Sequence, residues 1–572
     1  TCMRDVIDLY ESMGLDSDER MGIDIKFIIQ SDLKTLSAAQ SNYPFELISD
    51  PDAVFYDRYN IFEANGNKNL NVAGLAYDAA DRYKSTKITI IGGYPESPNE
   101  GDVPTIGENG SNTVFTTNTA QNNRVFDFNN STIGYLVFDG ISFKTAGVNA
   151  VGNVNFASNV IGKAEFNNCY FSVQSTNNNQ GAAFRSTAGS RVSITLNKCV
   201  FANNSTAGNG GTIFKNNGGS TLKFVECDFK SNSAGDGKDG GVAQLSTTVN
   251  LEFERCNFSK NSATRGGAIY MNSSANAKFT NCTFTENAAS ASAYGGAIYM
   301  TGSSNASFID CDFLKNTAKY GGAIANEIST LIVNGCTFTQ NSCSVSGAQG
   351  GAIVSYDAKL ANDYAAISEG KISNLYVYNS SFDSNEGLNQ GGSVKVQGSG
   401  YAVFVNSSFN NNLTGTNNNG DIRFRNGTGD GVKSWLISCS MNNTKTGLSN
   451  QASTLYTYNS IFNKYTTHGQ GSNIINRIST ITYTELYTAD GTKSETAVTF
   501  ADQIGEFNDG VFPVKAGSVA ATDGMSSSEL ADLGEAGSAL MTAMPLFETK
   551  YLTVDQKGNE RTGSIMGAYV GQ

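Results

Sequence analysis

One signature returns in phase along the middle of this chain, and few folds can accommodate it. It reads Cys227-Asp228-Phe229 with Asn232, Cys256-Asn257-Phe258 with Asn261, and Cys282-Thr283-Phe284 with Asn287. It continues as Cys311-Asp312-Phe313 with Asn316 and Cys336-Thr337-Phe338 with Asn341. Serine takes the Cys place at Ser380 and Ser407, and weaker copies stand at Ile141, Cys169, Cys439 and Ser460. Just before each copy lies an alternating pair: Leu222 and Phe224, Leu251 and Phe253, Ala277 and Phe279, Ala306 and Phe308, Leu331 and Val333. That period of two belongs to a half-buried strand. Phe253 and Cys256 are three apart, so a straight strand cannot point both inward, and a corner falls between them. A third landmark is a Gly pair with a short apolar run: Gly266-Gly267-Ala268-Ile269, Gly295-Gly296-Ala297-Ile298, Gly321-Gly322-Ala323-Ile324 and Gly350-Gly351-Ala352-Ile353.

Three short strands and three corners in roughly 25 to 30 residues describe one coil of a β-solenoid. The expected fold is all-β: a right-handed parallel β-helix, a three-sided, pectin-lyase-like solenoid with a cap at each end. About a dozen coils spaced by about 4.8 Å give a rod near 55 Å long. Leucine-rich repeats, the main structural rival, need a Leu-dense helical or 3₁₀ return that is missing here. The expected organisation is an N-terminal cap over 1–80, the β-helix over 81–465, and C-terminal coils and cap over 466–572. Asp5 to Met13 reads as a short amphipathic helix, and Ser526 to Thr542 as an Ala-rich helical or loop segment. Caps are expected because an open solenoid end exposes strand edges and apolar core.

Stacking assigns a role to each row. Phe229, Phe258, Phe284, Phe313 and Phe338 form an interior aromatic stack. Asn232, Asn261, Asn287, Asn316 and Asn341 form an amide ladder at a tight corner, where Asn tolerates left-handed backbone. The Gly pairs serve a corner that needs positive φ or close backbone approach. Lys198, Glu226 and Arg255, and again Lys260, Glu286 and Lys315, alternate in sign on successive coils and discourage register slips.

Composition agrees. There are 61 Gly, 7 Pro, 1 Trp and 1 His, with 39 % hydrophobic and 16 % charged residues. That is too apolar for a disordered chain and too poor in helix formers for a helical one. The net charge of −13 argues against a nucleic-acid partner. No stretch approaches the roughly 18 apolar residues of a membrane helix. No signal peptide is visible, so the chain reads as a processed or trimmed product. Cys169, Cys199, Cys227, Cys256, Cys282, Cys311, Cys336 and Cys439 share one register, which predicts a column of buried small hydrophobes rather than disulfides. No CxxC spacing points to zinc.

The recurrent Gly-Gly-Ala-Ile and Phe-x-x-Asn motifs over roughly 130–465 resemble the repeats of polymorphic outer-membrane proteins, a family of bacterial surface β-helices that are adhesins. Members of that family typically end in a membrane β-barrel, for which this C-terminus is too short. The end, from Tyr551-Leu552-Thr553-Val554-Asp555 to Ile565-Met566-Gly567-Ala568-Tyr569, is similar instead to the C-terminal cap of Bacteroides-type β-helix surface proteins. Lys87 to Tyr94 resembles their opening coil. The resemblance implies a Gram-negative cell-surface (outer-membrane) or secreted protein. It also implies membrane attachment through an acylated Cys2 or through a partner protein, against an ordinary free Cys2.

Function on such scaffolds concentrates in loops. An insertion at about Ser355 to Lys371 brings Tyr356, Asp357, Asp363 and Tyr364, which are binding candidates. Tyr270 and Tyr299, one coil apart, are candidates for stacking on a sugar, with edge packing as the alternative. Catalytic candidates are sparse. Asp228 and Asp312 share a register about three coils apart, roughly 14 Å at the strand spacing, and Asp310 flanks the other side of Cys311. His468 is isolated, and no nucleophile elbow, phosphate loop or EF-hand appears. No catalytic residue, metal or cofactor is therefore assigned. The expected function is a non-enzymatic adhesin or binding scaffold for a glycan or a cell-surface protein. A polysaccharide lyase or glycoside hydrolase, and an accessory subunit of an outer-membrane assembly, are the alternatives.

Overall fold

The computed structural model describes residues 24–28, 87–92, 113–115, 125–128, 132–147, 153–156, 161–175, 181–186, 190–216, 221–246, 250–343, 345–357, 372–398, 400–415, 420–426, 433–443, 447–451, 454–463, 465–467, 473–482 and 484–570. They fall into two compact units, Thr1–Asn261 and Ser262–Gln572. The division lies inside the repeat.

In the first unit, each coil adds a strand to three parallel sheets. Ile161–Asn167, Arg191–Asn197, Thr221–Val225 and Asn250–Glu254 stack in the first sheet. Val154–Phe156, Phe184–Ser186, Ile213–Asn216 and Ala243–Ser246 stack in the second. Tyr170–Ser175, Val200–Ala202, Asp228–Lys230 and Asn257–Ser259 stack in the third. The chain is an all-β parallel solenoid. Asp24–Ile28 pairs in parallel with Lys87–Ile91, so one rung of the first sheet comes from the segment expected to be a cap.

The second unit repeats this scheme. Its first sheet includes Asn305–Ile309, Thr330–Asn334, Asn374–Tyr378, Tyr401–Val405 and Lys433–Ile437. Its second sheet includes Ile298–Met300, Ile324–Glu327, Ile353–Tyr356, Val394–Gly398, Ile422–Asn426 and Leu448–Gln451. The parallel strands end at Thr480–Thr482, after which Glu485–Tyr487 and Lys493–Ala497 add antiparallel.

The interior follows the repeat. Phe143, Phe171, Phe201, Phe229 and Phe258 stack with centroids 4.6–5.0 Å apart in the first unit. Phe284, Phe313, Phe338, Phe382 and Phe409 do so at 4.6–4.8 Å in the second. All the register cysteines are free and buried. They do more than fill space. Cys199 Sγ donates to Phe166 O at 3.2 Å and Cys336 Sγ to Phe308 O at 3.4 Å. Ser380 Oγ donates to Tyr378 O at 2.7 Å and accepts from Cys336 N at 3.1 Å. A hydroxyl can therefore replace the thiol because the position needs a donor beside a corner carbonyl. Burial pushes the Cys439 thiol up to about 12.

One expectation is corrected. The ladder asparagines do not hold the left-handed corner. The residue before each one does: Ser231, Lys260, Glu286, Lys315 and Gln340 have φ of +54° to +55°. Asn232, Asn261, Asn287, Asn316 and Asn341 lie wholly inside. Each amide there is needed for its bonding, while the corner residue before it needs only its backbone and points to solvent. The corner before Cys follows the same rule, with Lys198, Glu226 and Arg255 at φ +52°, +53° and +52°. Their side chains pair as expected, Lys198 with Glu226 at 3.8 Å and Arg255 with Glu226 at 3.1 Å. Such exposed pairs contribute only tenths of a kcal/mol.

The Gly pairs divide two requirements. Gly295 has φ +65°, whereas a Cβ on Gly296 would lie 2.0 Å from Gly322 O and 2.6 Å from Thr317 N. These are backbone atoms of the next coil, so nothing soft can yield. Gly296→Ala is expected to cost about 3 kcal/mol or more. Gly237→Ala, at φ +73° with nothing within 4 Å, is expected to cost about 1 kcal/mol. Urea midpoints of the two variants check this; equal shifts would show that the close approach is not what selects glycine.

The C-terminal segment does not form a further coil. It holds helices Ser527–Asp532, with a Ser526/Glu529 capping box, and Ala539–Ala543. Leu530, Leu540, Met544, Phe547 and Leu552 pack on Tyr376, Tyr378, Val403, Val405, Trp435 and Ile437 of the first sheet. Those six residues alternate with core residues such as Leu375 and Val377, so they stand on the sheet's outer face. The third sheet's flank is covered as well. Ser408 Oγ donates to Gln556 Oε1 at 2.6 Å, Ser440 Oγ accepts from Ala568 N at 3.0 Å, and Ile461 packs with Phe500, Phe512 and Met566.

Candidate functional site

Two of the three outer faces of the second unit are thus engaged by the chain's own C-terminal segment over the later coils. The second sheet's outer face carries different side chains, and most of them are buried too. Alternation puts Ile298, Ile324, Ile353, Val394 and Ile422 inside, all buried. The neighbours Tyr299, Ala325, Val354, Lys395, Arg423 and Ser449 then form one outward column in strict register. Glu327, Tyr356, Gln397 and Arg425 form the column beside it.

The early part of this face is aromatic. Tyr270, Tyr299, Tyr320 and Tyr356 are 3–8 % exposed and pack with Val354 and the partly buried Tyr294. Tyr270 and Tyr299 stack at 5.4 Å, and Tyr294 lies 4.9 Å from Tyr320 and 5.7 Å from Tyr356. Arg265 sits 5.1 Å from the Tyr270 centroid and 5.7 Å from that of Tyr299. The Tyr299 hydroxyl donates to Glu327. Burial holds both the Tyr299 and Tyr356 phenols above the ordinary tyrosine value. Three candidates from different coils, Tyr270, Tyr299 and Tyr356, therefore meet in one cluster. Their rings are spent on one another and on Arg265, which is edge packing rather than an open platform for a sugar.

Asp357 is 4 % exposed, and its Oδ1 fills the space where a Cβ on Gly398 would stand, at 1.6 Å. It packs the next coil. Asp363, Tyr364, His468 and Cys2 lie outside the described residues. Asp228 and Asp312 are exposed, and Asp312 accepts from Thr337 Oγ1. Asp310 holds a left-handed corner at φ +52°. Among the described residues, no group of three or more His, Cys, Asp and Glu could hold a metal ion. No helix among them is long and apolar enough to cross a membrane.

The later part of the face is cationic, and sequence reasoning missed it. Lys395 is wholly buried and Arg423 is 4 % exposed, whereas Arg425 is half-buried. Lys395 Nζ donates to Gln390 Oε1, and Arg423 Nη1 donates to Ser449 Oγ at 2.7 Å. Burial, then the charges of Arg423 and Arg425, holds the Lys395 ammonium well below the ordinary lysine value. Burial and Arg425 hold Arg423 at about 10. The signal was present in Val394-Lys395-Val396-Gln397 and Ile422-Arg423-Phe424-Arg425. The period of two assigns each cation to the outer face.

Beneath this face lies Asp421, wholly buried, which accepts from Asn412 Nδ2 at 3.0 Å and from Ser393 Oγ. Burial raises its carboxyl to about 7, against the pull of those hydrogen bonds. A raised folded-state value means that the native state binds the proton more tightly than the unfolded chain. The Asp421 contribution is therefore full below about pH 4, falls as pH rises toward 7, and is flat above that. Asp421→Asn is expected to melt progressively higher than the parent as pH goes from 5 to 8. Parallel melting curves at both pH values would contradict this.

Residues 213–382 match the family model described as a right handed beta helix region. The chain is a β-helix repeat protein. No curated protein matches it, and no solved structure does.

Proposed function

We propose that this β-helix is a non-enzymatic binding scaffold, displayed at a cell surface or secreted, that engages glycans along the outer face of the second sheet. The observation that carries this reading is the division of labour in the second unit. The C-terminal segment packs on the first and third sheets, whereas the outward columns of the second carry Lys395, Gln397, Arg423 and Arg425 in register, of which Arg425 is half-buried and the others buried. A rigid ladder of this kind spaces its rungs at about 4.8 Å intervals, comparable to one sugar residue of an extended chain. Attachment through an acylated Cys2 or through a partner protein is part of the same proposal.

A polysaccharide lyase is the second reading, and one observation favours it: a lysine of lowered basicity beside two arginines. The experiment is a screen of the full chain against acidic and neutral polysaccharides, with binding and unsaturated products scored separately. Binding without product is expected. Turnover of any substrate would replace the scaffold reading with the enzymatic one.

A further inference from the structure

Tyr294 is the partly buried ring of the second sheet's tyrosine cluster, and the four rings around it are buried. Tyr294 and Tyr320 stand immediately before Gly295-Gly296 and Gly321-Gly322, so they occupy the same corner on consecutive coils. Their backbones are bridged in parallel: Gly295 N donates to Tyr320 O at 2.9 Å, and Tyr320 N donates to Ala293 O at 3.1 Å. That register fixes the two Cα atoms at about the 4.8 Å strand spacing. The rings lie face to face, with centroids 4.9 Å apart and planes 27° from parallel. Tyr294 also lies 5.3 Å from Tyr299 and 5.7 Å from Tyr356. It is the point at which an oxidant in solution meets the cluster.

We propose that Tyr294 and Tyr320 are a site of oxidative cross-linking, where a dityrosine bond ties one coil to the next. The cross-link is independent of any ligand of the scaffold. Its oxidant is a diffusible one-electron acceptor, which takes an electron from the Tyr294 phenol while the hydroxyl proton passes to water. Tyr320 needs no contact of its own with the oxidant. Across 4.9 Å it gives its electron and proton to Tyr294, and a second equivalent of oxidant then converts Tyr294 again. The two phenoxyl radicals join at ring carbons beside the hydroxyl-bearing carbons, forming one C–C bond. The ring hydrogens displaced there move to the oxygens, so the net loss is two electrons and two protons. Because the register holds the rings together beforehand, coupling within the chain outruns coupling between chains. The other stacked pair, Tyr270 and Tyr299, is less suited. Both rings are buried beside the Arg265 cation, and the Tyr299 hydroxyl is held by Glu327. A cation at a ring face opposes removal of an electron from that ring. The described cysteines are all free and tie no coils together, so these phenols supply a covalent brace that the thiols do not.

The test illuminates the dilute full chain with a ruthenium tris-bipyridyl sensitiser and persulfate, which generate a diffusible one-electron oxidant. The monomer fraction is then digested with trypsin and read by mass spectrometry. Cleavage after Lys315 and Lys319 separates the two tyrosines, while Tyr299 stays on the peptide of Tyr294 and Tyr356 on that of Tyr320. The expected product is this peptide pair joined, two hydrogens lighter than its halves, with fragmentation placing the bond at Tyr294 and Tyr320. Tyr294→Phe and Tyr320→Phe are each expected to lower its yield about tenfold or more, and Tyr356→Phe to leave it unchanged. Phenylalanine keeps the ring and its stacking, so these variants keep the fold. The oxidised parent is expected to unfold at higher urea than the untreated chain, a shift missing from oxidised Tyr294→Phe, because the tie restricts the unfolded chain. Dityrosine elsewhere in the monomer with none between these peptides overturns the site. Persistence of the joined pair in Tyr320→Phe assigns the bond to Tyr356 and overturns it as well. Equal midpoints for the oxidised parent and oxidised Tyr294→Phe overturn the role as a brace.

Discussion

Asn316→Ala is expected to lower the free energy of unfolding by about 5 kcal/mol, far more than an ordinary polar-to-alanine change. Asn316 is wholly buried and bonded in two directions. Its backbone N–H and its Nδ2 both donate to Asn341 Oδ1, at 3.0 and 2.9 Å, and Nδ2 also donates to Phe284 O at 2.8 Å. Its Oδ1 accepts from Asn287 N and Nδ2 at 2.9 and 3.0 Å. Alanine leaves the Asn287 donors and the Phe284 carbonyl in the interior without this partner, and each such loss costs about 1–3 kcal/mol. Asn316→Asp does not rescue, because it keeps the acceptor and loses both Nδ2 donations. The control is Asn305→Ala, an Asn in a superficially similar ladder, with Nδ2 donating to Asn276 Oδ1 at 2.9 Å. Asn305 is exposed, so its loss is expected to cost less than about 0.5 kcal/mol. Urea unfolding followed by circular dichroism compares the two. Similar midpoints for both variants would mean that the interior ladder is no stronger than the surface one.

The same contrast explains what the sequence could and could not disclose. The Phe, Cys, Asn and double-Gly rows are legible because each meets its own copy on the next coil, about 4.8 Å away, and so identity repeats. The left-handed corners are harder to read. At Ser231, Lys260, Glu286 and Gln340 only the backbone is constrained, so the side chains vary and the neighbouring Asn draws the eye. Outward positions repeat far less, beyond pairs such as Tyr270 and Tyr299. In one column of the second sheet Tyr299, Ala325, Val354, Lys395 and Arg423 succeed one another. Here pairing tells us where a residue points and nothing about what it must be. The covering of the first sheet left a trace that alternation alone overlooks. Leu375-Tyr376-Val377-Tyr378 and Ala402-Val403-Phe404-Val405 are continuous apolar runs, which a strand shows when both faces are buried.

What holds that cover in place is the buried guanidinium of Arg561, and its removal is expected to free the segment before the solenoid unfolds. Arg561 is 5 % exposed. Its Nε donates to Val554 O at 2.9 Å, its Nη1 to Ile565 O at 3.1 Å, and its Nη2 to Gly567 O at 2.7 Å and Asn406 Oδ1 at 3.1 Å. Asn406 is itself a left-handed corner residue at φ +51°, and its Nδ2 donates to Tyr551 O at 2.7 Å. One side chain thus closes the terminal loop on itself and ties it to a coil corner. Burial lowers the guanidinium to about 10, so it remains protonated at neutral pH. Arg561→Met retains most of the apolar stem and strands four acceptors, a loss of about 4 kcal/mol borne by the segment rather than by the coils. The chain carries its own reporter. Trp435, its single tryptophan, is 2 % exposed, stacks on Tyr456 at 5.2 Å and lies in the cluster that the segment covers. In Arg561→Met, Trp435 emission is expected to shift to the red at urea concentrations where the β-sheet circular dichroism is still native. Lys557→Ala removes an exposed 2.8 Å ion pair to Asp509 in the same segment and is expected to leave both signals coincident. If the two probes also coincide in Arg561→Met, the segment and the coils unfold as one unit and Arg561 is no latch. If they separate, the apolar outer face of the first sheet is held by a removable cover.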